Sequence, residues 1–200
     1  MSKFYPSIDH DIMYEIIKRK IKCKDTLWLL RDIIYSYGGG KNVPIGNYTS
    51  QWFGNLYLNE LDQWLKHEWK IKHYIRYCDD FVLFHNDKQL LQKMKNEIEA
   101  FIAERLQLSF SRWSIFPVTQ GVDFLGYRHF PDYILLRKST TKRVQRRLQR
   151  MPQLFRDGKI SREQVRSSIA STKGWLQWAN AHHLSVSLRL AELERIYETV

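Results

Sequence analysis

The sequence predicts an α+β fold: an antiparallel sheet packed by helices, followed by a basic, purely helical region. Three observations carry this expectation. Apolar residues recur at helical spacing over long stretches, most clearly at Phe53, Leu56, Tyr57, Leu61, Trp64 and Leu65. Two short aromatic and β-branched runs, His73 to Tyr77 and Phe81 to Phe84, flank a short acidic break, which is the signature of a hairpin. Charge is unevenly placed: residues 137–200 carry 14 Lys and Arg against 5 Asp and Glu, a formal +9, while residues 1–136 carry only +2 of the net +11. The composition therefore sets a domain boundary after residue 136.

Along the chain, Ile8, Ile12, Ile16 and Ile17 predict a helix to about Lys22, with Ser7 or Asp9 as its cap. A second helix covers Thr26 to Tyr37 and stops at Gly38, Gly39 and Gly40; a loop through Pro44 and Gly46 follows. The long helix runs from Thr49 to about Glu68 and leads into the hairpin. Leu90, Leu91, Met94, Ile98, Phe101, Ile102 and Leu106 place another helix between Asp87 and Leu106. Short strands are expected at Ser114 to Val118, Phe124 to Tyr127 and Tyr133 to Leu136, with a turn at Pro131 and Asp132. Beyond Arg137 the pattern is helical to the end, broken at Gly158 and at His182 and His183.

Composition narrows the function classes. With 44% hydrophobic and 14% aromatic residues the chain can bury a core, so a disordered segment is excluded. No apolar run approaches the roughly 18 to 20 residues that span a bilayer, and polar residues follow Met1, so a cytoplasmic protein with no membrane partner is expected. Cys23 and Cys78 are too few for a disulfide framework and lack zinc-site spacing. The excess positive charge points to a polyanionic partner.

Tyr77, Cys78, Asp79 and Asp80 stand at the expected hairpin tip. Aspartate is a common turn residue, but here apolar strands on both sides hold two adjacent carboxylates at the edge of a core. Uncompensated charge is costly there unless cations hold it. Metal-ion nucleotidyl transfer gives the pair a purpose, since two magnesium ions about 4 Å apart activate the attacking hydroxyl and stabilise the leaving group.

This tetrad, tyrosine, any residue, Asp, Asp, resembles the third palm motif of reverse transcriptases. Val43 to Gln51 is similar to the second, a loop entering a long helix, whose backbone at Ile45 and Gly46 lies against the incoming nucleotide and whose Ser50 and Gln51 face template and primer. Phe124, Leu125, Gly126 and Tyr127 resemble the primer-grip motif. Lys3 to His10 is similar to the first palm motif. There the family's catalytic aspartate falls one position ahead of Met1, leaving Met1 in the apolar slot whose backbone carbonyl also ligates metal. Asp9 and Asp11 lie beyond the aromatic pair, where helix capping is the expected job. Phe4 and Tyr5 match the aromatic pair beside the nucleotide, with Tyr5 at the steric gate that restricts the family to deoxynucleotides.

The resemblance implies a polymerase palm over residues 1–136 and a helical thumb over 137–200, with the fingers absent. It implies Mg²⁺ as cofactor, held by Asp79, Asp80 and the Met1 carbonyl, with Asp79 and Asp80 catalytic and Tyr77 beside the primer. The implied partners are an RNA template, a DNA or RNA primer and deoxynucleoside triphosphates. The Ile45 to Asn59 stretch and Val118 to Phe124 look most like reverse transcriptases of diversity-generating retroelements, a branch that implies a small basic helical accessory protein. Group II intron, retron and phage-defence reverse transcriptases are alternatives within the class. A nucleic-acid-binding remnant without chemistry is the alternative outside it.

The thumb can be argued without the family. On a helical wheel from Lys138, residues 138, Lys142, Arg143, Arg146, Arg147 and Arg150 fall within half a turn, and Val144, Leu148 and Met151 fall opposite. A cationic face without interleaved acids suits phosphate contact. Trp175, Leu176 and Trp178 are expected to pack between helices.

Overall fold

The computed structural model describes residues 1–198 and divides at Ile115/Phe116 into two compact units. In the first, a single turn α1 (Phe4–Ser7) precedes α2 (His10–Lys20), α3 (Lys24–Tyr35), the long α4 (Tyr48–His67), the hairpin β1 (Tyr74–Tyr77) and β2 (Asp80–Leu83), and α5 (Lys88–Leu106). Asp9 caps α2 by accepting from the backbone N–H of Asp11 and Ile12, the capping role its position suggested. Asp87 caps α5 in the same way.

The core of this unit follows the sequence periodicity at most positions, with Met13 and Leu58 added and Ile12, Leu56 and Trp64 only partly buried. Tyr57, Leu58, Leu61 and Leu65 of α4 are fully buried with Met13, Ile16 and Ile17 of α2 and Ile98 and Ile102 of α5. Tyr57 shows why its hydroxyl can sit there: it donates to Leu106 O at 2.7 Å and accepts from Asp9 N at 3.4 Å, joining the start of α2 to the end of α5. A lone two-stranded hairpin is marginal in water; β1 and β2 are held because Tyr74, Phe81 and Leu83 pack onto the helical core. Their register pairs Tyr74 with Leu83 and Tyr77 with Asp80, which leaves Cys78 and Asp79 as a two-residue turn.

The second unit begins with a 3₁₀ turn at Val118–Gln120 and the antiparallel meander β3 (Val122–Phe124), β4 (Tyr127–His129) and β5 (Ile134–Leu136). Helices α6 (Lys138–Arg156), α7 (Arg162–Leu176), α8 (His182–Ser187) and α9 (Leu190–Glu198) follow. Leu136 and Tyr127 pack with Val144, Leu148, Val165 and Ile169, so the meander shares the core of the helices after it. For that reason the units divide earlier than the boundary expected after residue 136. Asn180 fastens the meander edge from both sides, its Oδ1 accepting from Ile134 N at 2.9 Å and its N–H donating to Ile134 O at 2.7 Å.

Three expectations are corrected. Ser114 to Val118 forms no strand: Pro117 has no N–H to donate, and the segment is largely exposed. Phe124 to Tyr127 is a turn between strands, with Leu125 and Gly126 both at positive φ (51° and 87°). His182 and His183 open α8, and the break lies before them, at residues 177–181. The last two residues of the expected final helix lie outside the described residues.

Candidate active site

Backbone hydrogen bonds bring the first two motif segments together. Val43 N–H donates to Tyr5 O at 3.0 Å, Asn42 N–H to Ile8 O at 2.9 Å and His10 N–H to Gly40 O at 3.0 Å. The loop before α4 therefore runs beside residues 5–10. Gly46 ends that loop at φ 110°, a conformation side chains resist, with open space around it. Ile45 is 79% exposed, and Gln51 is also exposed.

The third motif joins the same place. Cys78 takes φ 52° in the turn, a sparsely populated conformation for a residue with a Cβ. The Met1 amino nitrogen lies 3.4 Å from Asp79 Oδ2. Partial burial together with the neighbouring Cys78 and Asp79 pushes the Tyr5 phenol above its ordinary pKa, which is the mark of a ring beside the turn. Met1, Tyr5 and Asp79 thus share one corner of the unit. Asp80, the first residue of β2, and Tyr77, the last of β1, are exposed on either side of the turn.

Two members of the expected set face elsewhere. Phe4 is 4% exposed and sits in the hydrophobic core, so of the aromatic pair it is Tyr5 that is open to a ligand. Ser50 is buried, and its hydroxyl donates to Pro44 O at 2.5 Å, so it shapes the loop and presents no free group to a template.

Three positions that the motifs did not flag hold the corner in place. Gly54, inside α4, has the rings of Phe4 and Tyr5 so close that an added Cβ would stand 3.0 Å from Phe4 Cε1 and 3.2 Å from Tyr5 Cε1. An isolated glycine within a helical pattern was the available signal. Arg76 and Asp62 form an ion pair with both side chains largely buried, and Tyr74 donates to the same carboxylate at 2.7 Å. Burial works against the charged guanidinium, but Asp62 outweighs it and holds Arg76 above its ordinary pKa. Burial, then Asp62, raise the Tyr74 phenol.

Two adjacent carboxylates have the hard oxygen chemistry that Mg²⁺ takes, and the charge facing Asp79 is the chain's own amino group. Among the described residues no group of three or more His, Cys, Asp or Glu side chains is placed to hold a metal. The pair fits as part of an ion site and does not amount to a two-ion site.

In the second unit, Gly126 of the β3–β4 turn and Tyr127, which opens β4, lie against Trp175, while Leu125 is exposed. A Cβ on Gly126 would come within 2.8 Å of that ring, Tyr127 is centred 5.5 Å from it, and the Tyr127 hydroxyl donates to Trp175 O at 3.0 Å. Trp175 and the buried Leu176 pack as expected; Trp178 is 68% exposed and does not. On α6, Val144, Leu148 and Met151 are buried, while Lys142, Arg143, Arg146, Arg147 and Arg150 are exposed. Arg147 also reaches α7, donating to Thr172 Oγ1 at 2.8 Å.

The first unit is thus a mixed helix and antiparallel-hairpin unit, with paired acids at the hairpin turn beside an aromatic and a glycine-ended loop. The model of the reverse transcriptase (RNA-dependent DNA polymerase) family matches residues 1–129, and the chain belongs to that family. The family acts on a nucleic-acid template with nucleotide substrates and typically uses divalent metal ions. No curated protein sequence matches the chain.

Proposed function

We propose that the chain is the palm and thumb of an RNA-directed DNA polymerase of the diversity-generating retroelement kind, and that an acid carried by sequence ahead of Met1 completes its metal site. The observation that supports this is the convergence of Met1, Tyr5 and the Asp79 turn, with the Val43 to Gly46 loop bonded alongside. Any residue joined to the Met1 nitrogen would stand next to Asp79. Joining it would also turn a charged ammonium into a neutral amide, freeing Asp79 for a cation.

In this reading Mg²⁺, when bound, activates the primer hydroxyl and neutralises charge on the phosphates. Asp79 and the Met1 carbonyl would hold it directly, and Asp80 would support them. Tyr5 closes the side of the pocket where a ribose 2′-hydroxyl would lie, selecting deoxynucleotides. The Ile45 and Gly46 backbone borders the incoming nucleotide, and Tyr77 the primer end. The Tyr127 turn and the cationic face of α6 contact the template–primer duplex, and a small basic helical protein is the expected accessory.

The test is primer extension on an RNA template with magnesium, comparing this chain with one extended upstream. The 200-residue chain is expected to be inactive, because losing a central charge-stabilising group costs about 100-fold or more in rate. Robust synthesis by it would overturn the missing-acid argument. In-frame translation upstream of Met1 separates the readings further. An aspartate preceded by further coding sequence supports the polymerase, and a stop codon supports the non-catalytic nucleic-acid-binding remnant.

A further inference from the structure

We infer that Arg76 is a positioning residue that locks the Asp79 turn onto helix α4. The inference rests on the function proposed above. All three of its guanidinium nitrogens donate: Nε to Asp62 Oδ1 at 2.8 Å, Nη2 to Asp62 Oδ2 at 2.5 Å, and Nη1 both to Asn55 Oδ1 at 3.2 Å and to Cys78 O at 2.9 Å. Asp62 and Asn55 lie on the long helix, whereas the Cys78 carbonyl belongs to the peptide that enters Asp79. One rigid, planar cation therefore ties the turn to the best-packed helix of the unit.

The turn needs such a tie. A two-residue connection between four-residue strands, with a Cβ-bearing residue at φ 52°, has few interactions of its own to hold one geometry. The Arg76 side chain is only 11% exposed, so its ion pair with Asp62 is shielded from water and from salt and anchors the guanidinium, while the bonds to Asn55 and Cys78 O lie nearer the surface. Fixing the Cys78 carbonyl fixes the following peptide plane, and with it the Cα of Asp79. Lysine cannot replace it: an ammonium is a single point charge and cannot span Asp62 and Cys78 O with fork geometry.

The experiment measures amide hydrogen exchange by mass spectrometry on the full chain, for wild type, Arg76→Lys, and the double variant Arg76→Leu/Asp62→Leu. The double variant removes both buried charges together, which avoids leaving one unpaired. Exchange in the peptide covering residues 74–84 is expected to rise severalfold in both, while exchange in α5 stays unchanged. A merely structural role would instead raise exchange throughout the unit. Unchanged hairpin exchange, or a uniform rise in every element, would overturn the inference. In the upstream-extended polymerase, Arg76→Lys should lower kcat by about 100-fold with little change in KM, as misplacement of a catalytic group by about 1 Å does. A normal kcat with a loosened hairpin would show that the turn needs no lock for catalysis. Should the unsubstituted extended chain itself be inactive, the proposed function fails, while the exchange result still judges the lock.

Discussion

Asp79 has an environment that depends on the state of the Met1 nitrogen. The charge facing it is an amino group at 3.4 Å, which disappears when that nitrogen becomes an amide. In the extended polymerase, Asp79→Asn keeps shape and hydrogen-bonding capacity but loses the negative charge. It should lower primer extension by at least about 100-fold and leave RNA affinity unchanged; appreciable residual synthesis would remove Asp79 from the metal site. Gly54 poses a problem of packing. Gly54→Ala gains about 1 kcal/mol of helix propensity but sets a methyl 3.0 Å from Phe4 Cε1, whose ring is buried in the core and resists displacement. Overpacking costs about 1–3 kcal/mol, so the clash should win by about 1 kcal/mol. Thermal unfolding should fall by about 2–4 °C for a chain of this size, and an unchanged or raised Tm would mean that Phe4 and Tyr5 move aside.

At the level of elements, α6 shows the helical pattern at its most readable. Its buried and cationic faces lie as the wheel placed them, because a 3.6-residue period sorts side chains regardless of what the helix packs against. The sequence could not show that Arg147 leaves the cationic row to bond Thr172, since that contact depends on where α7 passes. Neutralising Arg143, Arg146 and Arg147 together should therefore weaken duplex binding at any sequence and reduce the slope of log affinity against log salt by about 2 rather than about 3. Binding across a salt series checks it, and an unchanged slope would make the face merely solvated. The hairpin was legible for a different reason: alternating aromatic and β-branched residues about a short acidic turn have few other folds. What stood outside local pattern were the residues that brace the turn. Asp62 and Arg76 are 14 positions apart and meet only because β1 returns along α4. The Phe124 to Tyr127 error had a local cause, since Leu125 fits a strand by composition and takes a left-handed turn conformation only in company with Gly126.

At the scale of the whole chain, charge asymmetry divides the chain after residue 136 and packing divides it after Ile115, because charge reports surface and compact units are set by cores. One core runs from Phe4 to Leu108 and the other from Leu136 to Tyr197. Between the first core and the meander, residues 111–120 are mostly exposed and, before the 3₁₀ turn, have no regular structure. Exposed backbone without regular hydrogen bonding is where proteases cut first. Limited trypsin digestion should therefore cleave early after Arg112, the basic residue within that segment. Each fragment keeps a complete buried cluster, so both products should retain helical circular dichroism and unfold cooperatively. The carboxyl-terminal product should hold its fold, since Val144, Leu148 and Ile169, the packing partners of Tyr127 and Leu136, travel with it. The decisive comparison is a second fragment starting at Arg137. It lacks the β4 and β5 side chains and the Ile134 bonds to Asn180, and it should melt well below the fragment starting at Phe116. Equal melting temperatures would place the border after residue 136.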